Sequence, residues 1–186
     1  MIRAFVGIPL PGTVVSALGA AQAGLPAGRP VPPENFHLTV AFLGEHPEPL
    51  VEDVHLALDS IRAPRFALTL DGLGLFGGER PRVLHAEVRP EPMLAHLREK
   101  VLQAARGAGL RMDRARYNPH VTLARFRNGL KGEDAEKMRD FAVRRMAFKA
   151  GPFEVDEFVL YRSSLGRNGP VYHELAAYRL NGRDGA

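Results

Sequence analysis

The sequence predicts one domain of mixed helices and strands, built from two similar lobes, and three observations lead to this prediction. The chain has 186 residues, a length typical of a single domain. Its 45% hydrophobic and 25% charged residues are typical of globular proteins and exclude a disordered or collagen-like chain. Strand-like and helix-like segments alternate in the same order in both halves. We therefore expect residues 1–186 to form one domain with lobes over about 1–78 and 79–162, closed by a last strand over 171–180.

The first half reads as strand, helix, strand, helix and strand. Residues 2–10 are rich in strand-forming side chains, and the helix predicted after them begins at Pro11, a residue favoured in the first turn. Apolar residues then recur at helical spacing. The five elements are predicted at 2–10, 11–23, 36–43, 49–61 and 66–73.

The second half repeats this order. Its last helix begins with acidic residues and ends with arginines, as the helix dipole favours. The distance from Val6, in mid-strand, to His37 is 31 residues, and that from Ala86 to His120 is 34 residues. Such agreement indicates an old duplication, and two similar lobes would leave a cleft suited to a ligand. The elements are predicted at 82–88, 91–108, 117–126, 132–148, 153–162 and 171–180.

Several function classes are excluded by composition. The chain has no cysteine, which excludes disulfides, thiolate nucleophiles and cysteine zinc sites. No apolar run approaches the roughly 20 residues of a membrane span. Pro9 and Pro11 interrupt the apolar N-terminal stretch, and no small-residue cleavage site follows, so the segment is predicted to be a strand rather than a signal peptide. We expect a cytoplasmic protein that does not associate with membranes.

Arginine dominates the basic residues, at 21 of 25 in a chain of net charge +4. Codon bias would explain this, but arginine also binds phosphate in a fork. A cluster around residues 106–127 favours a surface that attracts a polyanion. It consists of Arg106, Arg111, Arg114, Arg116, Arg125 and Arg127, with Asp113 as the one acid among them.

Two His-x-Thr motifs occupy matching places in the two halves. His37 is followed by Thr39, and His120 by Thr122, in a chain with only four threonines. Residues i and i+2 of a strand share a face, so each histidine projects together with its threonine. If a pseudo-twofold axis relates the lobes, the two pairs meet across one cleft.

Two imidazoles and two hydroxyls around one group suit acid–base chemistry on an anionic phosphate. One imidazole can act as base and the other as acid, because their pKa values lie near neutral pH, and hydroxyls can donate to charged oxygens. A metal is not required, and a two-histidine metal site without carboxylates nearby would bind weakly. The competing interpretation is that each histidine is a hydrogen-bonded core residue. His85, in the middle of a strand predicted to border the cleft, has no clear role.

Four stretches resemble the two-histidine (2H) phosphoesterases, and within them the bacterial and archaeal RNA 2′,3′-cyclic phosphodiesterases, also called 2′-5′ RNA ligases. The resemblance covers nearly the whole chain, and its paired motifs are specific as a set. The stretches are RAFVGIPLP at 3–11, PPENFHLTVAFLG at 32–44, YNPHVTLAR at 117–125 and FEVDEFVLY at 153–161.

The resemblance implies an α+β fold of two lobes, with two antiparallel sheets lining a cleft and helices outside. It implies hydrolysis of a terminal 2′,3′-cyclic phosphate on RNA to a 2′-phosphate, and joining of such an end to a 5′-hydroxyl. His37 would be the proton donor and His120 the base, with Thr39 and Thr122 holding phosphate oxygens. No metal or other cofactor is implied, and we expect a monomer.

Arg125 matches a phosphate-binding arginine of the family. Strand parity points its side chain away from His120 and Thr122, so a bulge or the strand end must turn it inward. Many relatives carry an aromatic residue where His85 stands, which would stack on a base. In this chain Phe76 could take over that stacking; the alternative is that Phe76 is only a packing residue.

Two alternatives stay open. The same chemistry could act on a small cyclic nucleotide or a 2′-5′ oligonucleotide, because nothing in the sequence marks the residues that read a base. A non-catalytic RNA-binding domain would need the arginines but not both His-Thr pairs.

Overall fold

A computed structural model describes residues 1–112, 116–166 and 169–181 and confirms the α+β class. The helices are α1 (Gly12–Gln22), α2 (Glu48–Asp59), α3 (Pro92–Gly107) and α4 (Gly132–Val143). The strands are β1 (Ile2–Pro9), β2 (Arg29–Pro30), β3 (His37–His46), β4 (Phe66–Phe76), β5 (Val83–Val88), β6 (His120–Arg125), β7 (Lys149–Val155), β8 (Glu157–Gly166) and β9 (Gly169–Arg179).

Helix α3 shows how the local sequence sets the elements. Glu91 caps its N-terminus by accepting a 3.1 Å hydrogen bond from the backbone N–H of Met93. Leu94, Leu97 and Val101 recur at helical spacing and are buried. Gly109 follows with a φ of 99°, a conformation that favours glycine after a helix end.

The strands form one continuous antiparallel sheet in the order β7-β4-β5-β6-β3-β1-β8-β9, with β2 added beside β6. Its two four-stranded halves meet between β3 and β6, where Leu38 and Val121 are the one residue pair in register. The two sheets expected from the sequence are therefore joined along their inner strands. This seam places the His-Thr strands side by side.

Each half of the sheet contains strands from both halves of the chain. Strand β4 pairs with β5 and β7, whereas β8 pairs with β1 and β9. The lobe boundary predicted near residue 78 therefore does not coincide with the seam. Side-chain patterns identify a strand, but its partner depends on packing with distant segments. Strands β4 and β8 are thus exchanged between the two predicted lobes, and this exchange joins the lobes into one unit.

The structure corrects one stretch of the second half. Helix α4 ends at Val143 rather than at residue 148, and the strand predicted at 153–162 is two strands, β7 and β8. Pro152 lies within β7, which is tolerated because β7 is an edge strand of the sheet. Gly151 and Pro152 obscured this strand in the sequence.

The core lies between the helices and one face of the sheet. Leu38, Val40, Val121 and Leu123 are almost completely buried there. The alternating residues of β3 and β6 are only half-buried and face the opposite side. The strand period thus separates a packed face from a face that is open to a ligand. Within the described part of the chain, no helix is both long and apolar enough to cross a membrane.

Candidate active site

The two His-Thr strands line one cavity of about 450 Å³ at the seam of the sheet. The structure brings together there all five residues singled out from the sequence: His37, Thr39, His120, Thr122 and Arg125. The cavity is also lined by Arg3, Ala4, Phe5, Phe42, Gly44, Ser163, Leu165, Pro170 and Tyr172.

A bulge follows each threonine. In β3, Gly7 pairs with Thr39 and Val6 with Ala41, so Val40 is the extra residue. Strand β6 has the same irregularity one residue after Thr122, where Leu123 is extra. A bulge shifts the side-chain alternation by one residue.

The bulge in β6 explains the position of Arg125. Simple alternation from His120 turns position 125 away from the cavity, as the sequence predicted. The extra residue at Leu123 reverses that parity, and Arg125 lines the cavity with Thr122. The structure thus contains the bulge that was one of the two ways expected to turn Arg125 inward.

Both histidines are oriented by the same backbone contact. Nδ1–H of His37 donates to the carbonyl oxygen of Asn35, and Nδ1–H of His120 donates to that of Asn118, each at 2.8 Å. In the neutral ring this contact leaves Nε2 without a proton. Nε2 of His37 then accepts a 3.1 Å hydrogen bond from the Thr39 hydroxyl. The pseudo-symmetry thus extends to the tautomer.

Aromatic rings hold His37 from its own half of the sheet. Its ring centroid lies 4.8 Å from that of Phe5 and 5.0 Å from that of Tyr172, which meets it edge-on. Phe5 in turn stacks on Tyr161 at 5.0 Å. Edge-on and offset contacts are the favoured geometries of such rings, so they fix the orientation of His37.

Phe76 and His85 hold His120 in the other half. Phe76 meets His120 edge-on at 4.8 Å and stacks on His85 at 3.8 Å. The His85 ring lies 5.4 Å from His120 and is only 3% exposed, and its Nδ1 has no hydrogen-bond partner among the described residues. His85 is thus a packing residue behind the site, and Phe76 both packs and borders a cavity.

Burial keeps all three rings neutral in the free protein. It is the main cause that lowers the pKa of His37 from 6.5 to about 4; the charges of Arg125 and His120 add to it, and the bond to Asn35 opposes it. Burial, and then the Arg125 charge, lower the pKa of His120. Burial, and then the charge of His120, lower the pKa of His85 to about 4. An anion beside Arg125 would offset part of this effect on the two cavity histidines.

Two smaller cavities adjoin the central one. The first, of about 170 Å³, lies on the His37 side and is lined by Arg29, Pro32, Arg125 and Tyr172 among others. The second, of about 320 Å³, lies on the His120 side. Its lining is Thr39, Val40, Ala41, Phe42, Phe76, Arg98, Arg116, Tyr117, Asn118 and His120.

The predicted arginine cluster is only partly at the site. Arg125 and Arg116 line cavities, whereas Arg106, Arg111 and Arg127 are exposed elsewhere on the surface. Arg114, and Asp113 with it, lie outside the described residues.

Three other cavity arginines come from distant segments and could not be identified from the sequence. Arg3 lies on β1, Arg29 on β2 and Arg98 on α3. No motif surrounds them, and only the fold brings them to the site. Their position at a cavity adds positive charge around the two histidines.

Within residues 1–112, 116–166 and 169–181, no group of three or more His, Asp or Glu side chains could hold a metal ion. The expectation that the reaction needs no metal stays a prediction.

A family model described as the 2′-5′ RNA ligase superfamily matches residues 15–167. Curated relatives named RNA 2′,3′-cyclic phosphodiesterase include a protein of Aeropyrum pernix, 35% identical over 83% of this chain and 87% of the relative. One from Escherichia coli is 34% identical over 83% of this chain and 81% of the relative. A third, from Geobacillus stearothermophilus, is 33% identical over 96% of this chain, which spans only 57% of that relative's length.

Solved structures agree with the sequence matches. A protein of Thermus thermophilus superimposes with a TM-score of 0.78 at 30% identity, covering 98% of this chain and 100% of the other. Escherichia coli LigT complexed with 3′-AMP superimposes with a TM-score of 0.76 at 29% identity, covering 96% and 98% of the two chains. The fold, the paired motifs and the family match lead to the same conclusion: this chain belongs to the 2′-5′ RNA ligase superfamily.

Proposed function

We propose that this protein is an RNA 2′,3′-cyclic phosphodiesterase, which hydrolyses a terminal 2′,3′-cyclic phosphate to a 2′-phosphate, and that it also joins such ends to 5′-hydroxyl RNA. One observation carries the proposal: two identically oriented histidines share a cavity with two threonine hydroxyls and an arginine. The names of the curated relatives support the same substrate.

In the proposed reaction, His120 acts as base and His37 as acid. Nε2 of His120 takes a proton from water, and the water oxygen attacks phosphorus. The bond from phosphorus to the 3′ oxygen breaks, and Nε2–H of His37 protonates that oxygen. The products are a 2′-phosphate and a 3′-hydroxyl. The division of work between two imidazoles supplies both proton transfers within one reaction.

Thr39, Thr122 and Arg125 hold the phosphate. The hydroxyls donate to its non-bridging oxygens, and the guanidinium offsets the charge that grows on them in the transition state. The phosphate also neutralises Arg125, whose charge lowers the pKa of His37 in the free protein. Burial is the main cause of that low pKa, so the phosphate removes only the smaller contribution of the Arg125 charge and raises the pKa of His37 in part.

Ligation uses the same groups with a 5′-hydroxyl in place of water. His120 takes the proton of that hydroxyl, and the product is a 2′-5′ phosphodiester with a free 3′-hydroxyl. One chain supplies every group named here, so the proposed enzyme works as a monomer. We place it in the cytoplasm, where its RNA substrates occur.

The test is product analysis of an RNA that ends in a 2′,3′-cyclic phosphate, incubated with the protein and EDTA. We expect a 2′-phosphorylated end, with a 3′-phosphate-terminated RNA left unchanged as control. Binding without turnover would favour the non-catalytic RNA-binding domain. Turnover of a cyclic mononucleotide with none of the RNA would favour the small-nucleotide enzyme.

A further inference from the structure

We propose that the 320 Å³ cavity on the His120 side binds the 5′-hydroxyl strand that replaces water in ligation. Its aromatic rings would stack the first base of that strand, and its arginines would hold the phosphate after the first nucleoside. The inference rests on the proposed function and adds to it the site of the second RNA strand.

The position of the cavity fits the entering group. It shares Thr39, Phe42 and His120 with the central cavity, and His37 is not among its lining residues. The other side cavity includes His37 and not His120. In an in-line displacement the entering and leaving oxygens lie on opposite sides of phosphorus. With His120 as base, the entering hydroxyl comes from this cavity.

Phe42 supplies a stacking surface at its mouth. Phe42 follows His37 by five residues, and Arg125 follows His120 by five residues. The two positions correspond under the pseudo-symmetry, so one half has an aromatic ring where the other half has the arginine proposed to bind phosphate. Bulges at Val40 and Leu43 bracket Phe42, and 69% of its surface is exposed. An exposed ring beside a basic cavity is the usual platform for an unpaired base.

Arg98 and Arg116 supply the charge. The Arg98 side chain is only 17% exposed, and its guanidinium lies 4.4 Å above the ring of Tyr117 and 3.6 Å from Oε1 of Glu99. Its Nε has no hydrogen-bond partner among the described residues. Arg116 is exposed, and none of the described lining residues is acidic. The Tyr117 hydroxyl donates to the backbone carbonyl of Thr39 at 3.0 Å and so ties this wall to the catalytic strand. A phosphodiester is the RNA group that matches the exposed guanidinium of Arg116, with the charge of Arg98 partly offset by Glu99.

The ligation step balances with these groups alone. His120 removes the proton of the 5′-hydroxyl, whose oxygen bonds to phosphorus as the bond to the 3′ oxygen breaks. His37 delivers its proton to that 3′ oxygen. No oxidant, reductant or further reactant is consumed.

The experiment measures the KM for two acceptors, with an RNA ending in a 2′,3′-cyclic phosphate as donor. Adenosine offers a 5′-hydroxyl and a base, and the dinucleotide ApA adds the internal phosphate. Phe42→Ala should raise the KM for both acceptors by about tenfold, a typical effect of losing one base–aromatic stack, and Phe42→Tyr should restore it. Arg116→Ala should raise the KM for ApA and leave that for adenosine unchanged.

Arg62→Ala is the matched control, because it removes the same charge from an exposed arginine whose side chain, within the described part of the chain, donates to the carbonyls of Asp59 and Ile61. It should leave both KM values unchanged. Hydrolysis is measured in the same reactions, so the two proposals fail separately. If Arg116→Ala affects both acceptors equally, the cavity is not the acceptor site. If the wild-type protein hydrolyses the donor but transfers it to neither acceptor, the ligation part of the proposed function is wrong and this inference fails with it. If the donor is not hydrolysed at all, the proposed function itself is wrong.

Discussion

Acidification should lower the free energy of unfolding of this protein, in part through buried His85. Replacing the His85 ring should remove the part of that decrease that His85 causes. His85 is 3% exposed, and its pKa is lowered to about 4, mainly by burial. Between pH 6.5 and about 4, His85 binds a proton in the unfolded chain but stays neutral in the folded protein. The folded state therefore loses stability as the pH falls from 6.5 to about 4, and below that both states are protonated.

The magnitude follows from the difference between the two pKa values. A full pH unit in this window costs about 1.4 kcal/mol per group, and less at its two ends, so His85 should cost about 2 kcal/mol between pH 7 and about 4.5. We expect the phenyl ring in His85→Phe to keep the stack on Phe76 and to abolish the cost that comes from the titration of His85. Acidic side chains contribute to acid unfolding equally in both proteins and cancel in the comparison.

The assay is urea unfolding at pH 7 and about pH 4.5 for the wild type, His85→Phe and a control, His96→Gln. His96 is exposed on α3, so this variant controls for the loss of one histidine from the chain. The loss of unfolding free energy on acidification should be about 2 kcal/mol smaller in His85→Phe than in the wild type. Equal losses in the two proteins would show that His85 is not a buried, neutral ring.

Three further predictions concern activity. The pH profile of kcat/KM should be a bell with its maximum between about 4 and 6.5, because burial lowers the pKa of both cavity histidines; a maximum above pH 7 would contradict this. Activity should survive EDTA because imidazoles carry the proton transfers, and a loss restored by one divalent ion would refute it. Arg125→Ala should lower kcat on a short cyclic-phosphate substrate. Arg111→Ala should mainly weaken the binding of long RNA and reduce its salt dependence, because each phosphate contact contributes a log–log slope of about −0.7. Equal effects of the two variants would show that Arg125 does not act on the reacting phosphate.

The sequence predicted the two His-Thr strands well because their information is local. Alternation in β3 and β6 separates Leu38 and Val121, which are buried, from His37 and His120, which line the cavity. The same holds for the helices, whose apolar spacing is independent of distant partners.

Long-range features could not be predicted in the same way. A bulge depends on the neighbouring strand, so Leu123 and the inward position of Arg125 are visible only with β5 in place. The exchange of β4 and β8 between the lobes depends on packing, not on pattern. Tyr172 reaches His37 from the last strand, more than 130 residues further along the chain.

The paired-histidine mechanism is tested most directly by the pH dependence of turnover in His37→Ala and His120→Ala, on an RNA ending in a 2′,3′-cyclic phosphate. Each variant should lose about 10²–10⁴-fold in kcat with little change in RNA binding. The two roles predict that each variant loses a different limb of the pH profile. His120→Ala should lose the acidic limb, because that limb reports the base losing its proton. His37→Ala should lose the alkaline limb, because that limb reports the acid losing its proton. Near-normal turnover in either variant, or both limbs remaining in both, would contradict the assignment.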